Sequence, residues 1–318
     1  MTFRLGICFS REFSGRKPLS HIGKKLPSYL RLLKFCQKEG WEVYVLTRKT
    51  YQGSGIFKGG WLFCKDQFLK TKKTIKIDLI YDRTGGVKFP LEEDSTAVVN
   101  RRDFKLLCWD KWQAYQILSK FMPQTLWVGK KDNLVSVLPK IKTDWVVLKP
   151  FNGLKGVGIF IGPKKEALEF KFLGKSPQYI AQEFIDTSGG IKGVTSKLHD
   201  LRVVIVNRKV IWSHVRIPSP GSFKANVAHG GNIKEVNYQK QVPEEVKRIV
   251  NPIAKRFFEK YDNPIYSLDF GIDKAKGPFI FEINDQIGFP LWEMKARDKF
   301  LKELVKNLTS KLERSRKR

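Results

Sequence analysis

The stretch that most constrains this chain runs from Tyr266 to Asp285. Tyr266-Ser-Leu-Asp269-Phe-Gly-Ile-Asp273 and Pro278-Phe-Ile-Phe-Glu282-Ile-Asn284-Asp285 flank the link Lys274-Ala-Lys-Gly277. Two apolar runs around a short Gly-containing link predict a β-hairpin. With Lys274–Gly277 as the loop, Asp269 falls opposite Glu282, and like charges opposed across a strand pair are destabilising. A bound cation removes that objection. Glu282 and Asn284 are two residues apart and share a face. Two carboxylates and an amide oxygen on one surface are hard ligands, too few for a Ca2+ cage and suited to a Mg2+ that keeps waters and substrate phosphates. Leu268, Phe270, Phe279, Phe281 and Ile283 are assigned to the opposite, apolar face. An amphipathic hairpin with solvated acids is the plainer alternative.

The 318 residues suffice for two or three modest domains, and 42% apolar with 13% aromatic residues describes a folded chain. The first ten residues hold only a short apolar run before Arg11 and Glu12, so no signal peptide is expected. No run approaches the roughly 18 residues of a membrane span, so no membrane partner is expected. Cys8, Cys36, Cys64 and Cys108 form no CxxC pair and read as reduced, mostly buried thiols of a cytoplasmic protein. His21, His199, His214 and His229 have no zinc spacing.

Charge is the unusual property. Lys plus Arg is 60 against 31 Asp plus Glu, a net charge of +29. Such a field attracts polyanions. The bases are spread along most of the chain, with a final Arg314-Ser-Arg-Lys-Arg318. A general bias towards lysine explains the body of the chain as well as a binding surface does; an added nucleic-acid affinity stays open.

In order, Arg4–Phe9 reads as a buried strand, Leu26 to Phe35 as a helix closed by Gly40, and Trp41–Leu46 as a strand. Strand, helix, strand predicts a parallel α/β sheet. Ile75–Tyr81 reads as a further strand. No GxGxxG follows the first strand, which excludes a dinucleotide Rossmann site. Asn100–Lys120 reads as one helix carrying Asp110-Lys111, followed by a short strand at Leu126–Val128 and a helical stretch at Leu134–Ile141. Trp145–Lys149 is a strand ending in lysine. Phe151-Asn-Gly153-Leu-Lys155-Gly156-Val-Gly158 then forms a flap before Ile159–Ile161. Backbone amides free of side chains suit phosphate, with Lys149 and Lys155 supplying charge; an ordinary Gly-rich hairpin gives the same pattern. Tyr179–Ile185 is a strand, and Leu201–Val206 with Lys209–His214 is a hairpin with Arg202 and Arg216 near its ends. Pro218–Gly231 is a basic loop, Glu244–Tyr261 an amphipathic helix, and Leu301–Leu312 a final helix.

In this order the motifs resemble the ATP-grasp family over roughly 105–310. The string Asp200-Leu-Arg202, Phe223-Lys-Ala-Asn226, His229-Gly-Gly231, Leu268-Asp269 and Glu282-Ile-Asn284 is similar to the branch holding glutathione synthetase and the ribosomal-protein-S6-type glutamate ligase, and to spore-coat-associated ATP-grasp proteins. The resemblance implies an α/β pre-ATP-grasp domain over 1–104 and an ATP-grasp domain over 105–318, with a nucleotide-lid subdomain to 185 and a metal and substrate subdomain from 186. It implies that Lys111 and Lys149 face ATP phosphates beneath the Gly153, Gly156, Gly158 flap. Gln182, Glu183, Phe184 and Ile185 would meet adenine, and Asp200, Lys224 and Asn226 would complete the nucleotide site. Asp269, Glu282 and Asn284 would hold Mg2+, or Mn2+ in its place. The implied reaction is carboxylate activation by ATP to an acyl phosphate followed by amine attack, with Arg202 and Arg216 as catalytic cations. Arg216 is equally readable as a solvated strand-end arginine.

The chain departs from the family after Asn284. Asp285-Gln-Ile-Gly288-Phe-Pro290 replaces the usual Ser-Pro-Gly-like turn, although Gly288 is kept. The positive charge favours an acidic peptide or protein as acceptor, and a homo-oligomer fits the resemblance. Two rivals follow: an ATP-grasp kinase or nucleotide-dependent binding protein, and a basic nucleic-acid-binding protein, for which no RRM, zinc-finger or helix-turn-helix signature is present.

Overall fold

The computed structural model describes residues 2–10, 18–87, 96–153, 156–174, 177–223 and 231–316. Lys155, Lys224, Asn226 and His229 lie outside these residues.

Three sheets organise the chain. In the first, Arg4–Phe9 pairs in parallel with both Glu42–Thr47 and Leu79–Arg83, and Leu79–Arg83 pairs in parallel with Ala97–Val99. The helix Leu26–Lys38 makes the crossover from the first strand, and Gly40 just beyond it has φ +77°, where a Cβ would be strained. An antiparallel ribbon, Ile56–Cys64 with Gln67–Lys76, extends this sheet beyond Glu42–Thr47. The strand expected at Ile75–Tyr81 is two strands. Ile75 and Lys76 pair with the ribbon, then Ile77 N–H donates to Gly55 O and Asp78 N–H to Arg4 O, and Leu79 starts afresh beside Leu5. Uniform alternation of side chains hides such a change of partner.

The second sheet is antiparallel, ordered Phe160–Pro163, Trp145–Pro150, Tyr179–Glu183, Thr125–Gly129. The third is also antiparallel, ordered Asn232–Glu235, Lys209–Ile217, Asp200–Val206, Tyr266–Asp273, Gly277–Asn284. Asn207 and Arg208 turn the first of its hairpins with φ of 52° and 62°, the left-handed pair a two-residue turn demands.

The helix expected over 100–120 breaks at Asp110. Helices Arg102–Trp109 and Lys111–Leu118 meet there, because the Asp110 side chain accepts from Gln113 N–H at 2.9 Å and caps the second helix. Leu201, Val203, Leu268, Phe270, Ile280 and Ile283 form one core with the helix Glu244–Lys260. On the other face, Val204, Val206 and Trp212 join Leu301, Leu304 and Leu308 of the final helix, Arg297–Arg316, Leu5 and Ile7 of the first sheet, and Leu32 and Leu33 of the helix Leu26–Lys38. The C-terminal helix thus ties the first and third sheets into one core. Burying Leu, Ile and Val side chains contributes roughly 1.5–3 kcal/mol each before entropy costs.

Among the described residues no helix is long and apolar enough to cross a membrane. The four cysteines are free; Cys8, Cys36 and Cys108 are buried and Cys64 half-buried.

Candidate active site

The third sheet presents a charged face at one end. Register sets Asp200 beside Arg216, Arg202 between His214 and Asp269, and Asp269 beside Glu282. These positions alternate with the apolar core positions, so period-2 geometry places them on one surface.

The hairpin register expected at Asp269 and Glu282 is present, but a bulge after Asp269 shifts the pairing by one, so that Phe270 faces Ile280. Two residues placed on the core face therefore change sides. Ile280 is buried in the core, whereas Phe279 lies opposite Gly271, and the Phe281 ring covers Gly271 so closely that a Cβ there would come within 1.9 Å of it. Gly271 was the available signal, since a glycine inside a strand often marks a bulge.

The like-charge opposition of Asp269 and Glu282 is met by side chains. Asp269 Oδ1 accepts from Arg202 Nε at 2.7 Å, and Oδ2 from an Arg202 terminal nitrogen at 2.6 Å, from Arg216 at 2.7 Å and from Asn284 Nδ2 at 3.1 Å. Arg216 also pairs with Asp200. It is buried between two carboxylates, which removes its reading as a solvated arginine. Burial alone would raise Asp269, yet Arg202 and Arg216 hold its carboxyl well below the usual range. Burial pushes Asp200 up, against Arg216. Burial, then Arg202 and Arg216, keep His214 neutral, stacked on Trp212 at 4.1 Å.

Two lysines reach this face from the side of the second sheet. Lys111 Nζ donates to Gly153 O at 2.6 Å and lies 3.3 Å from Glu282 Oε1. Lys149 Nζ donates to Gln182 Oε1 at 2.9 Å and to Phe281 O at 3.3 Å. Burial lowers Lys149 to about 8, with Glu282 opposing and Lys111 adding to the shift. Gln182 is fixed in turn by Thr125 Oγ1 at 2.8 Å. Gly156 and Gly158 have φ of +72° and +73°, and a Cβ on Gly158 would sit 2.8 Å from Tyr179 Oη. Glu183 pairs with Lys276 of the hairpin loop at 2.6 Å. Phe184 N–H donates to Thr143 Oγ1 at 3.3 Å, and its ring meets Trp145 and Phe223 at 5.5 and 5.6 Å. Ile185 is buried.

The structure thus brings together Lys111, Lys149, Gly153, Gln182, Arg202, Arg216, Asp200, Asp269, Glu282 and Asn284. Sequence reasoning missed Lys276, read only as loop, and Thr125. It also missed Asn100, whose side-chain amide bonds both Ile265 N–H (2.7 Å) and Ile265 O (2.6 Å) just ahead of the acidic hairpin. None has a local motif.

For a divalent metal the donor set is favourable at Glu282 and Asn284. Among the described residues the second carboxylate oxygen of Glu282 and Asn284 Oδ1 have no protein hydrogen bond and are not buried orphans, so both hard oxygens are available on one surface. Asp269 is already occupied by guanidinium groups. Among the described residues no cluster of three His, Cys, Asp or Glu is suited to a metal.

A family model for the RimK-like ATP-grasp domain matches residues 108–308. The chain belongs to the RimK-like ATP-grasp family. A probable alpha-L-glutamate ligase from Marinobacter nauticus is 28% identical over 229 residues, covering 70% of this chain and 67% of that one. The chain spans 56–60% of the length of other curated relatives with the same name. Among solved structures, D-alanyl-alanine synthetase A from Vibrio cholerae superposes with a TM-score of 0.66 at 15% identity, covering 98% and 99% of the two chains. D-alanine–D-alanine ligase from Bacillus anthracis, complexed with ATP, gives 0.61 at 15% identity and covers 100% and 99%. At such identities the likeness establishes the fold. Family and fold together are those of ATP-dependent carboxylate–amine ligases, with an α/β domain preceding a two-subdomain ATP-grasp unit.

Proposed function

We propose that the chain is an ADP-forming ligase that joins a carboxylate to an amine, with an acidic amino acid or acidic peptide among its substrates. The observation that carries the reading is the pair Lys111 and Lys149. Both are buried, both stand on the second-sheet side, and both reach the acidic hairpin of the third. Lys149 has no carboxylate within ion-pair distance among the described residues. A buried cation without a counter-anion is costly unless a ligand supplies one, and nucleotide phosphates do so.

A substrate carboxylate oxygen attacks the γ-phosphorus of ATP. The bond to the β,γ-bridging oxygen breaks and ADP leaves. The amine then attacks the acyl phosphate, phosphate departs, and the amine loses a proton. Lys149 and Lys111 hold the transferring phosphates, and Arg216 and Arg202 face the charge that develops on the acyl phosphate. Mg2+, held by Glu282 and Asn284 with Asp269 beside them, would neutralise phosphate charge. Lys224 and Asn226 are assigned to phosphate and metal through the family motif. No nucleophilic side chain is needed. The glutamate named in the relatives' activity supports an acidic substrate here.

The test is trapping with hydroxylamine, which converts an acyl phosphate to a hydroxamate. Incubation with ATP, Mg2+ and glutamate or a glutamate-rich peptide is expected to give hydroxamate and ADP together. ADP release without hydroxamate, and without need of an amine, would favour phosphoryl transfer to another group.

A further inference from the structure

The turn after Asn284 is gripped by the helix Leu26–Lys38 and by the end of the strand Leu79–Arg83. Ser28 Oγ donates to Pro290 O at 2.7 Å, and an Arg83 terminal nitrogen donates to Ile287 O at 2.7 Å. Tyr29 stacks on Phe289 at 4.1 Å, with the Arg83 guanidinium over the same ring at 5.6 Å. Lys25 ends the short 3-10 helix Ser20–Lys25, and its Nζ lies 2.6 Å from where a Cβ on Gly288 would stand. Any side chain at position 288 would displace that ammonium group.

These cations are under-compensated. Among the described residues neither Lys25 nor Arg83 has a carboxylate within ion-pair distance, and Arg83 Nε is buried without an acceptor. Of the carboxylates nearby, Asp269 pairs with Arg202 and Arg216 and Asp82 with Lys105, while Asp285 accepts from Gln286 at 2.8 Å and attracts Arg83 from beyond ion-pair distance. Burial, then the charges of Arg83 and Arg202, push Lys25 down from its ordinary value. Two cations beside one turn, neither with a carboxylate at ion-pair distance among the described residues, form a site that an anion from outside would complete.

We propose that Lys25 and Arg83 bind an anionic group of the substrate remote from the reacting carbon, and so select an amino acid or residue with an additional carboxylate over its neutral counterpart. This rests on the ligase reading above and assigns its specificity to the first domain, outside the matched family region. The chemistry fits the geometry. A carboxylate accepts from a guanidinium and an ammonium at once, and the turn carrying Gly288 stands next to the metal residue Asn284.

The test uses the full chain with Mg·ADP, which fills the nucleotide site without turnover, and follows the thermal midpoint against glutamate, glutamine and inorganic phosphate. Glutamate is expected to act at concentrations about tenfold or more below glutamine, the factor a charge-assisted pair supplies. Lys25→Met, which removes no side-chain hydrogen bond among the described residues, is expected to lose that preference and keep the Mg·ADP shift. Lys25→Arg is expected to keep both, and Arg83→Met to behave as Lys25→Met. Equal action of glutamate and glutamine, equal action of phosphate and glutamate, or an unchanged preference in Lys25→Met would overturn this inference alone. Absence of any Mg·ADP shift in the wild type would instead overturn the nucleotide reading, and this inference with it.

Discussion

On the proposed function Lys149 serves a ligand at the expense of the fold, and Lys149→Met measures both sides. Burial lowers its pKa from the ordinary 10.5 to about 8. At about 1.4 kcal/mol per unit, holding the charge in the folded state at pH 7 costs on the order of 3 kcal/mol. Methionine removes that cost with a side chain of similar length. Against this, Gln182 Oε1 and Phe281 O lose their donor, and a buried acceptor left unsatisfied costs about 1–3 kcal/mol. With two acceptors affected, about 2–6 kcal/mol in all, the expected balance runs from an apo chain about 1 kcal/mol more stable to one about 3 kcal/mol less stable. The assay is urea unfolding at pH 7 with and without Mg·ATP. The wild-type midpoint is expected to rise with nucleotide and that of Lys149→Met to stay fixed. A variant destabilised by more than about 3 kcal/mol, or one that still responds to Mg·ATP, would refute the reasoning.

Two other outcomes follow from the same site. Because folded Lys149 loses its proton near pH 8 while the unfolded chain keeps it to about 10.5, the unfolded state binds more protons in that window. Its contribution to stability therefore rises with pH between about 8 and 10.5, whereas Mg·ATP affinity measured by titration calorimetry is expected to fall as pH rises through about 8. Gly271→Ala drives a methyl into the Phe281 ring and is expected to cost about 1–3 kcal/mol in urea unfolding, with much of the loss recovered in the Gly271→Ala, Phe281→Ala double variant. Additive losses would show that the ring does not limit the substitution.

Much of this site was legible because its signals are local. The Asp269–Glu282 opposition follows from one loop assignment, and Lys149 from a strand that ends in lysine before three glycines. The bulge defeated the reading of Phe279 and Phe281, since a single extra residue reverses every side chain beyond it. Asp110 looks like a helix-interior residue until its side chain is seen to cap a new helix. Lys25 and Arg83 had no signal. Each is one more base in a basic chain, and only the packing of the first sheet on the turn after Asn284 brings them beside Gly288. The arginines taken at first as free cations prove to be half of a buried network with Asp200 and Asp269, which needed both strand registers to be known.

The central claim is that the acidic hairpin binds nucleotide through a metal, and titration calorimetry of ATP into the wild type and Glu282→Gln, with and without Mg2+, tests it most directly. Glu282 is half-buried, and among the described residues its one ion-pair partner is Lys111, so glutamine preserves the fold. Saturable binding in the wild type that needs Mg2+ and weakens about tenfold or more in Glu282→Gln is the predicted result. Binding of equal strength in both proteins, or none at millimolar ATP and Mg2+, would contradict the account.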